Sequence, residues 1–192
     1  ESHGDLRELG KFVGLSGQPG YHLTLDDDIV YPPDYVETML IEVERLGRRA
    51  LVGTHGIRYD RASPSLVLNR TVCHFAEACR GGPVDAVGTG TACYHSSALS
   101  MTLEDCGPAG FADLWLSRKA FEMGVPIHSI ERQKGWLKSL DSDMDTRIYV
   151  VNQRNAQYAE ELFIETMGRQ LSQSSPDHVC VSKQKTTASR HS

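Results

Sequence analysis

The sequence predicts an α/β fold, and three observations carry that expectation. Tyr21-His22-Leu23-Thr24-Leu25 alternates and is rich in strand formers, so it reads as a strand. Val36, Met39, Leu40 and Val43 recur at i, i+3, i+4 and i+7, the spacing of an amphipathic helix. Ala50-Leu51-Val52-Gly53 is a short apolar run of the kind a buried strand shows. Strand, helix and strand in succession are the signature of an α/β unit.

Taken in order, the chain opens with a polar, Gly-rich stretch from Glu1 to Gly20 that holds a short amphipathic piece over Leu6 to Leu15. The first strand runs into Asp26-Asp27-Asp28 and then Pro32-Pro33, which stop a strand and can open a helix. The helix spans about Asp34 to Leu46 and is closed by Gly47. Ile57 to Pro64 reads as a loop, and Leu66 to Ala78 fits either strand or helix. Gly81-Gly82-Pro83 reads as a turn, and Val84 to Tyr94 as strand, glycine-rich bend and strand. Leu103 to Gly110 is loop. A second helix covers Phe111 to Met123, with Ala112, Leu116, Ala120 and Met123 in one stripe and Gly124 and Pro126 as its stop. Pro126 to Ile130 is a further short strand, and a third helix is expected from about Val151 to Met167. The tail from Ser172 is too poor in apolar residues to stay ordered, so the expected organisation is one domain over 1–170 and a disordered tail over 171–192.

Composition narrows the function. The 192 residues carry 20 Lys plus Arg against 25 Asp plus Glu, a formal net charge of −5, which argues against non-specific nucleic-acid binding. No apolar run approaches the roughly 20 residues a membrane-spanning helix needs. The cysteines number five, an odd count with no C-x-x-C pair, which predicts reduced thiols and a cytosolic protein rather than a zinc site or a disulfide framework. Cys93, within Thr91-Ala92-Cys93-Tyr94, is expected to pack as a small hydrophobe.

The acidic triplet is the most informative feature. In a strand alternate side chains share a face, so Asp26 and Asp28 point one way and Asp27 the other. Two carboxylates on one side at the C-terminal end of a buried strand repel each other unless a cation neutralises them. Oxygen ligands suit a hard cation such as Mg²⁺ or Mn²⁺, and two carboxylates leave coordination positions for substrate phosphate oxygens. Ligands of open α/β sheets also bind at the C-terminal ends of the strands. The other reading of such a triplet is a solvated acidic turn before a helix. Asp141-Ser142-Asp143-Met144-Asp145 begins like a calcium loop but has Thr146 and Asn152 where Gly and Glu belong, so it reads as a solvated loop.

The stretch from Gly20 to Tyr35 resembles the DxD segment of GT-A-fold glycosyltransferases, most closely the bacterial family-2-like enzymes that build surface polysaccharides. Gly10-Lys11-Phe12, Val87-Gly88-Thr89-Gly90-Thr91 and Phe111-Ala112-Asp113-Leu114-Trp115-Leu116-Ser117 are similar to the same group in order and spacing, over about residues 4 to 140. The resemblance implies a GT-A-like, Rossmann-like mixed sheet flanked by helices. It also implies a nucleotide-sugar donor, a saccharide acceptor, Mn²⁺ or Mg²⁺ as cofactor, and inverting single displacement. Such a protein works in the cytoplasm, with attachment to the inner face of the membrane as an option.

Asp113 lies in the first turn of the second predicted helix, where unpaired N–H groups and the macrodipole favour an ionised carboxylate. Position alone would make it a helix cap; the resemblance makes it the general base that takes the acceptor's proton. By the same resemblance Asp28 is the direct metal ligand. Asp26 is a second ligand or a contact to sugar or ribose, and Asp27 could serve either way. Gly88, Thr89 and Gly90 could let the backbone approach a sugar or could form an ordinary bend. Lys11 is a candidate for the donor pocket, and Arg132, with Lys134 and Trp136, for a loop folding over the diphosphate. His55 and His128 are candidate third metal ligands, His128 lying in the downstream half where such a histidine is expected.

Only 19 residues precede Gly20, whereas a GT-A domain begins with βα units of roughly 30 residues each that hold the nucleotide base. With Glu1 in place of Met and no leader pattern, the expectation is an N-terminally incomplete domain with an exposed sheet edge. The alternative from another class is an inactive transferase remnant that binds glycan or protein. A metal-dependent phosphohydrolase is a weaker one, since no further His/Asp cluster stands at metal spacing.

Overall fold

The computed structural model describes residues 5–60 and 69–140, together with Glu161 and Glu165. A 3-10 turn over Arg7–Phe12 precedes β1 (Tyr21–Leu25), β2 (Ile29–Val30), α1 (Tyr35–Arg45), β3 (Leu51–Gly53) and β4 (Gly56–Tyr59). Then come β5 (Arg70–Cys73), β6 (Cys79–Pro83), β7 (Ala86–Val87) and β8 (Thr91–His95). A short 3-10 turn at Leu103–Asp105 leads into α2 (Ala112–Glu122), β9 (Ile127–Arg132) and β10 (Lys138–Ser139). The fold is mixed α/β.

The main sheet has the order β1-β8-β3-β9-β6. β8 is antiparallel to both β1 and β3, while β3 and β9 are parallel, so β1, β3 and β9 all run the same way and finish at one rim. Helices cover both faces. Leu51, Ala92 and Tyr94 pack on one side with Ala112, Trp115 and Leu116 of α2. Val52, Cys93 and Ile130 pack on the other with Tyr35, Met39 and Val43 of α1. Neighbours in sequence thus go to opposite layers, as the two-residue strand period requires. Small sheets of order β5-β4-β7 and β10-β2 flank the rim.

Both helices stop where the sequence places their glycines. Gly47 at φ +66° lets the Arg48 N–H reach the Val43 carbonyl (2.9 Å), and Gly124 at φ +68° lets the Val125 N–H reach the Ala120 carbonyl (2.7 Å). Each is the crossed C-terminal bond that a left-handed residue permits.

Several local expectations are corrected. Gly81-Gly82-Pro83 belongs to strand β6, an edge strand, where missing side chains and a missing N–H are tolerated. Residues 56–59 are a strand rather than loop, because β5 and β7 pair with β4 on its two sides. Cys73 and Cys79 are joined by a disulfide rather than reduced, so the cysteines no longer argue for a cytosolic protein. Cys93 is free and buried, as its apolar run predicts, and Cys106 is also free. The third predicted helix, the Asp141–Asp145 loop and the tail lie outside the described residues, apart from Glu161 and Glu165, which are helical. Among the described residues no helix is long and apolar enough to cross a membrane.

Candidate functional site

The site is built where β1 ends. Asp26 leaves the strand, Asp27 and Asp28 form a tight turn, and β2 follows. Asp26 and Asp28 are half-buried while Asp27 is exposed, but the turn at Asp27 and Asp28 ends the strand, so the expected strand alternation stops before the triplet does. The Asp26 N–H donates to the Tyr31 hydroxyl (2.8 Å), which donates to the Gly90 carbonyl (2.6 Å). One phenol therefore ties the tip of β1 to the loop between β7 and β8.

That loop and α2 supply the rest. The Lys11 ammonium forms an ion pair with Asp26 and lies 3.5 Å from the Thr89 hydroxyl oxygen. Thr89 donates twice to Asp113 Oδ1, from its backbone N–H (2.6 Å) and from its hydroxyl (2.8 Å). Asp26, Lys11, Thr89 and Asp113 thus form one connected polar chain linking the acidic turn to the first turn of α2. Burial pushes the Asp26 carboxyl above its usual range, opposed by Lys11 and reinforced by the nearby charges of Asp113 and Asp28.

The two glycines beside Thr89 make room for side chains of this protein. A Cβ on Gly90 would fall inside the Asp26 carboxylate. A Cβ on Gly88 would stand 3.0 Å from that of His55. His55 is half-buried, and its ring meets those of His74 (5.4 Å) and Phe75 (6.3 Å). Burial lowers its pKa to about 4; the neighbouring charges of His74, Arg132 and Arg70 act in the same direction and Asp113 opposes them.

Other sequence-predicted residues stand elsewhere. Arg132 is buried, and all five of its N–H groups have protein acceptors. Nε donates to the Phe75 carbonyl (3.0 Å), and one terminal nitrogen to those of Cys73 (3.1 Å) and His74 (2.6 Å). The other donates to Ile130 carbonyl oxygen (3.3 Å) and to Ser129 Oγ (3.5 Å). Burial among these neutral groups lowers its pKa to about 10. Arg132 therefore holds a loop in place and has no fork left for a diphosphate. Lys134 pairs with Glu77 at 3.0 Å. Trp136 packs on Tyr35 with ring centres 5.7 Å apart and donates to Asp34 (3.1 Å), which makes it part of the support beneath α1. His128 sits near the start of β9, opposite Val52 and Pro83, and the charges that act on it are Arg45 and Glu42 of α1. It does not join the aspartates.

No protein-family model matches the chain, and no curated protein matches it.

The charge of Asp28 acts on Asp26, whose carboxylate is already paired with Lys11, so a hard cation at this turn would share Asp26 with that ammonium. Among the described residues no three His, Cys, Asp or Glu side chains converge as a metal group. Two carboxylates fit a cation that draws the remainder of its shell from substrate and water. Sequence reasoning missed Tyr31 and the His74–Phe75 loop; the five-residue interval between Cys73 and Cys79 was the signal that could have found the latter.

Proposed function

We propose that this chain is a GT-A-like glycosyltransferase domain that moves a sugar from a nucleotide-sugar donor to a saccharide acceptor, with inversion. The observation that supports this reading best is the polar chain from Asp26 through Lys11 and Thr89 to Asp113. It links a pair of carboxylates suited to the donor's diphosphate with a carboxylate suited to act as a base.

Both Thr89 bonds fall on Oδ1 of Asp113, which fixes the carboxylate and leaves Oδ2 as the oxygen for a proton. Asp113 takes the proton from an acceptor hydroxyl as that oxygen bonds to the anomeric carbon. The bond from that carbon to the diphosphate breaks, and its electron pair leaves with the nucleoside diphosphate. Lys11 keeps Asp26 from facing Asp28 and Asp113 as an uncompensated third negative charge. Asp28, with Asp26, would hold Mn²⁺ or Mg²⁺, which when bound supplies Lewis-acid neutralisation of the leaving group.

Calorimetric titration of UDP and GDP, with and without Mn²⁺, tests this reading. The intact chain is expected to bind one of them in a metal-dependent way, and Asp28→Ala to abolish that dependence. Identical heats for the two proteins would remove the metal-site assignment and the donor reading with it.

A further inference from the structure

Resting on the transferase reading for the identity of its ligands, we propose that Lys11 is a built-in competitor for the cation at Asp26, so that the acidic turn takes Mn²⁺ or Mg²⁺ tightly only when a diphosphate draws the ammonium away. Both oxygens of Asp26 are already engaged. Oδ1 holds Lys11 in the ion pair, and Oδ2 lies so close to Gly90 that a Cβ there would overlap it. A divalent ion on this carboxylate would therefore sit next to the ammonium. Two such charges repel, and the more so where solvent screens them poorly. Lys11 is the more sheltered partner, its side chain 16% exposed against 37% for Asp26.

The ammonium is free to change partners because the backbone behind it is fixed. Lys11 belongs to the 3-10 turn Arg7–Phe12, whose Leu9 and Phe12 are buried in the core on the α2 side of the sheet. The turn stays in place while the four-carbon stem swings. An ammonium carries three donors, and among the described residues Lys11 has two acceptors, Asp26 and, at 3.5 Å, the Thr89 hydroxyl. One N–H is left for an incoming anion.

Thr89 is also the residue that fixes Asp113, so Lys11 stands between the acidic turn and the proposed base. A donor's diphosphate brings several anionic oxygens to that place. Lys11 passing to one of them would free Asp26 for the cation. A cation arriving alone offers the displaced ammonium nothing in return. Cation and diphosphate are thus coupled through Lys11, and such coupling is reciprocal.

The full chain is titrated with Mn²⁺ alone at pH 7.5, the free ion being followed by electron paramagnetic resonance. UDP and GDP are titrated by calorimetry with and without Mn²⁺. Lys11→Met removes the charge and keeps the stem, whereas Lys11→Arg keeps the charge. Lys11→Met is expected to bind Mn²⁺ alone about fivefold more tightly than wild type, the worth of one partly exposed ion pair, and Lys11→Arg to bind it as weakly as wild type. The factor by which Mn²⁺ raises nucleotide affinity should shrink in Lys11→Met. A measurement on the wild type holds even if Lys11→Met does not fold. With ¹³C at the lysine Cε positions, the Lys11 signal is the one absent from Lys11→Arg. Mg²⁺ alone should leave it in place, and the same Mg²⁺ with the bound nucleotide should move it. Mn²⁺ affinity unchanged in Lys11→Met, or a Lys11 signal unmoved by bound nucleotide and Mg²⁺, overturns the competition. If nucleotide binding is metal-dependent all the same, the transferase reading survives that result. Tighter Mn²⁺ binding by Lys11→Met with neither nucleotide bound keeps Lys11 as the cation's competitor and removes the transferase reading.

Discussion

The two ends of the main sheet follow opposite rules. Where β1, β3 and β9 finish, polar side chains are drawn inward and joined to one another: Asp26 to Lys11, Thr89 to Asp113, Arg132 to three carbonyls. At the other end charges stay outside in local helix pairs, Arg45 with Glu42 and Arg48 with Glu44, both at 2.7 Å. Exposed pairs of that kind contribute little to stability. A half-buried network, by contrast, costs desolvation that its partners must offset, and removing one partner leaves the others uncompensated. The inward end is therefore where a substitution should be felt, and in activity before stability.

The largest expected effect is on turnover. Asp113→Asn keeps an oxygen for both Thr89 donors, so the fold should survive, but it removes the proton acceptor. Loss of a general base lowers rates by about 10²- to 10⁴-fold. Sugar transfer measured by mass spectrometry, with binding of the nucleotide checked in parallel, tests this. A variant that transfers at the wild-type rate would return Asp113 to the role of a helix-start charge.

Acid should separate the two ends next. His55 has an ordinary value of 6.5 when unfolded and about 4 in the fold, chiefly through burial. The unfolded chain thus takes up this proton first, and stability falls as pH drops from about 6.5 towards 4. The full linkage is worth about 3 kcal/mol, and solvent reaching the half-buried ring reduces it to about 2 kcal/mol. The groups acting on the ring are His74, Arg132 and Arg70, which favour the neutral form, and Asp113, which favours the charged one. Asp26, raised by burial, works with the opposite sign from pH 3.8 upward and trims the loss at the acid end. Urea midpoints at pH 7.5 and 4.5 should converge in His55→Gln; an undiminished difference there would place the acid sensitivity elsewhere.

How far this end could be read from sequence depends on whether the relevant spacing was local. The helices were legible, because Met39 and Val43 mark the buried face and Gly47 and Gly124 mark the stops, although Val36 of the expected stripe is exposed and Tyr35 is buried in its place. The strand up to Leu25 was legible, but Asp27 and Asp28 lie in a turn, where strand alternation no longer sets which way a side chain points. The Thr89 grip on Asp113 was not, since it spans 24 residues and exists only once α2 packs on β7. Arg132 looked like a basic loop residue, yet its carbonyl acceptors on the Cys73–Phe75 loop lie 57 to 59 residues upstream. β6 was hidden because Gly81-Gly82-Pro83 has turn composition, and only the ladder with β9 makes it a strand. Five cysteines argued against pairing by count, though Cys73 and Cys79 stand close enough in sequence to bond.

A smaller effect probes the closest approach within the site. Gly90→Ala places a methyl group inside the Asp26 carboxylate, so either that side chain turns away from Lys11 or the loop shifts. Overpacking of this kind costs about 1–3 kcal/mol, and partial exposure of Asp26 puts the expectation near about 1 kcal/mol. The more telling readout is metal-dependent nucleotide affinity, which should fall with Asp26 displaced. Unchanged affinity with lowered stability would confine Gly90 to packing.

The smallest expected effect lies at the opposite end, and its smallness is what makes it useful. His128 was the favoured third metal ligand and His55 the other candidate, and the fold separates them along the sheet. The charges that act on His128 are those of Arg45 and Glu42 in α1, whereas the charge of Asp113 acts on His55. A cation held by Asp26 and Asp28 sits at the rim where β1 finishes, and His128 is near the start of β9, which runs parallel to it. His128→Gln keeps a polar side chain of similar reach in this half-buried position. It should therefore leave Mn²⁺-dependent nucleotide affinity and urea midpoint indistinguishable from wild type. A clear loss of metal-dependent affinity would mean that the downstream histidine reaches the cation after all, and that β9 moves relative to β1 when donor binds.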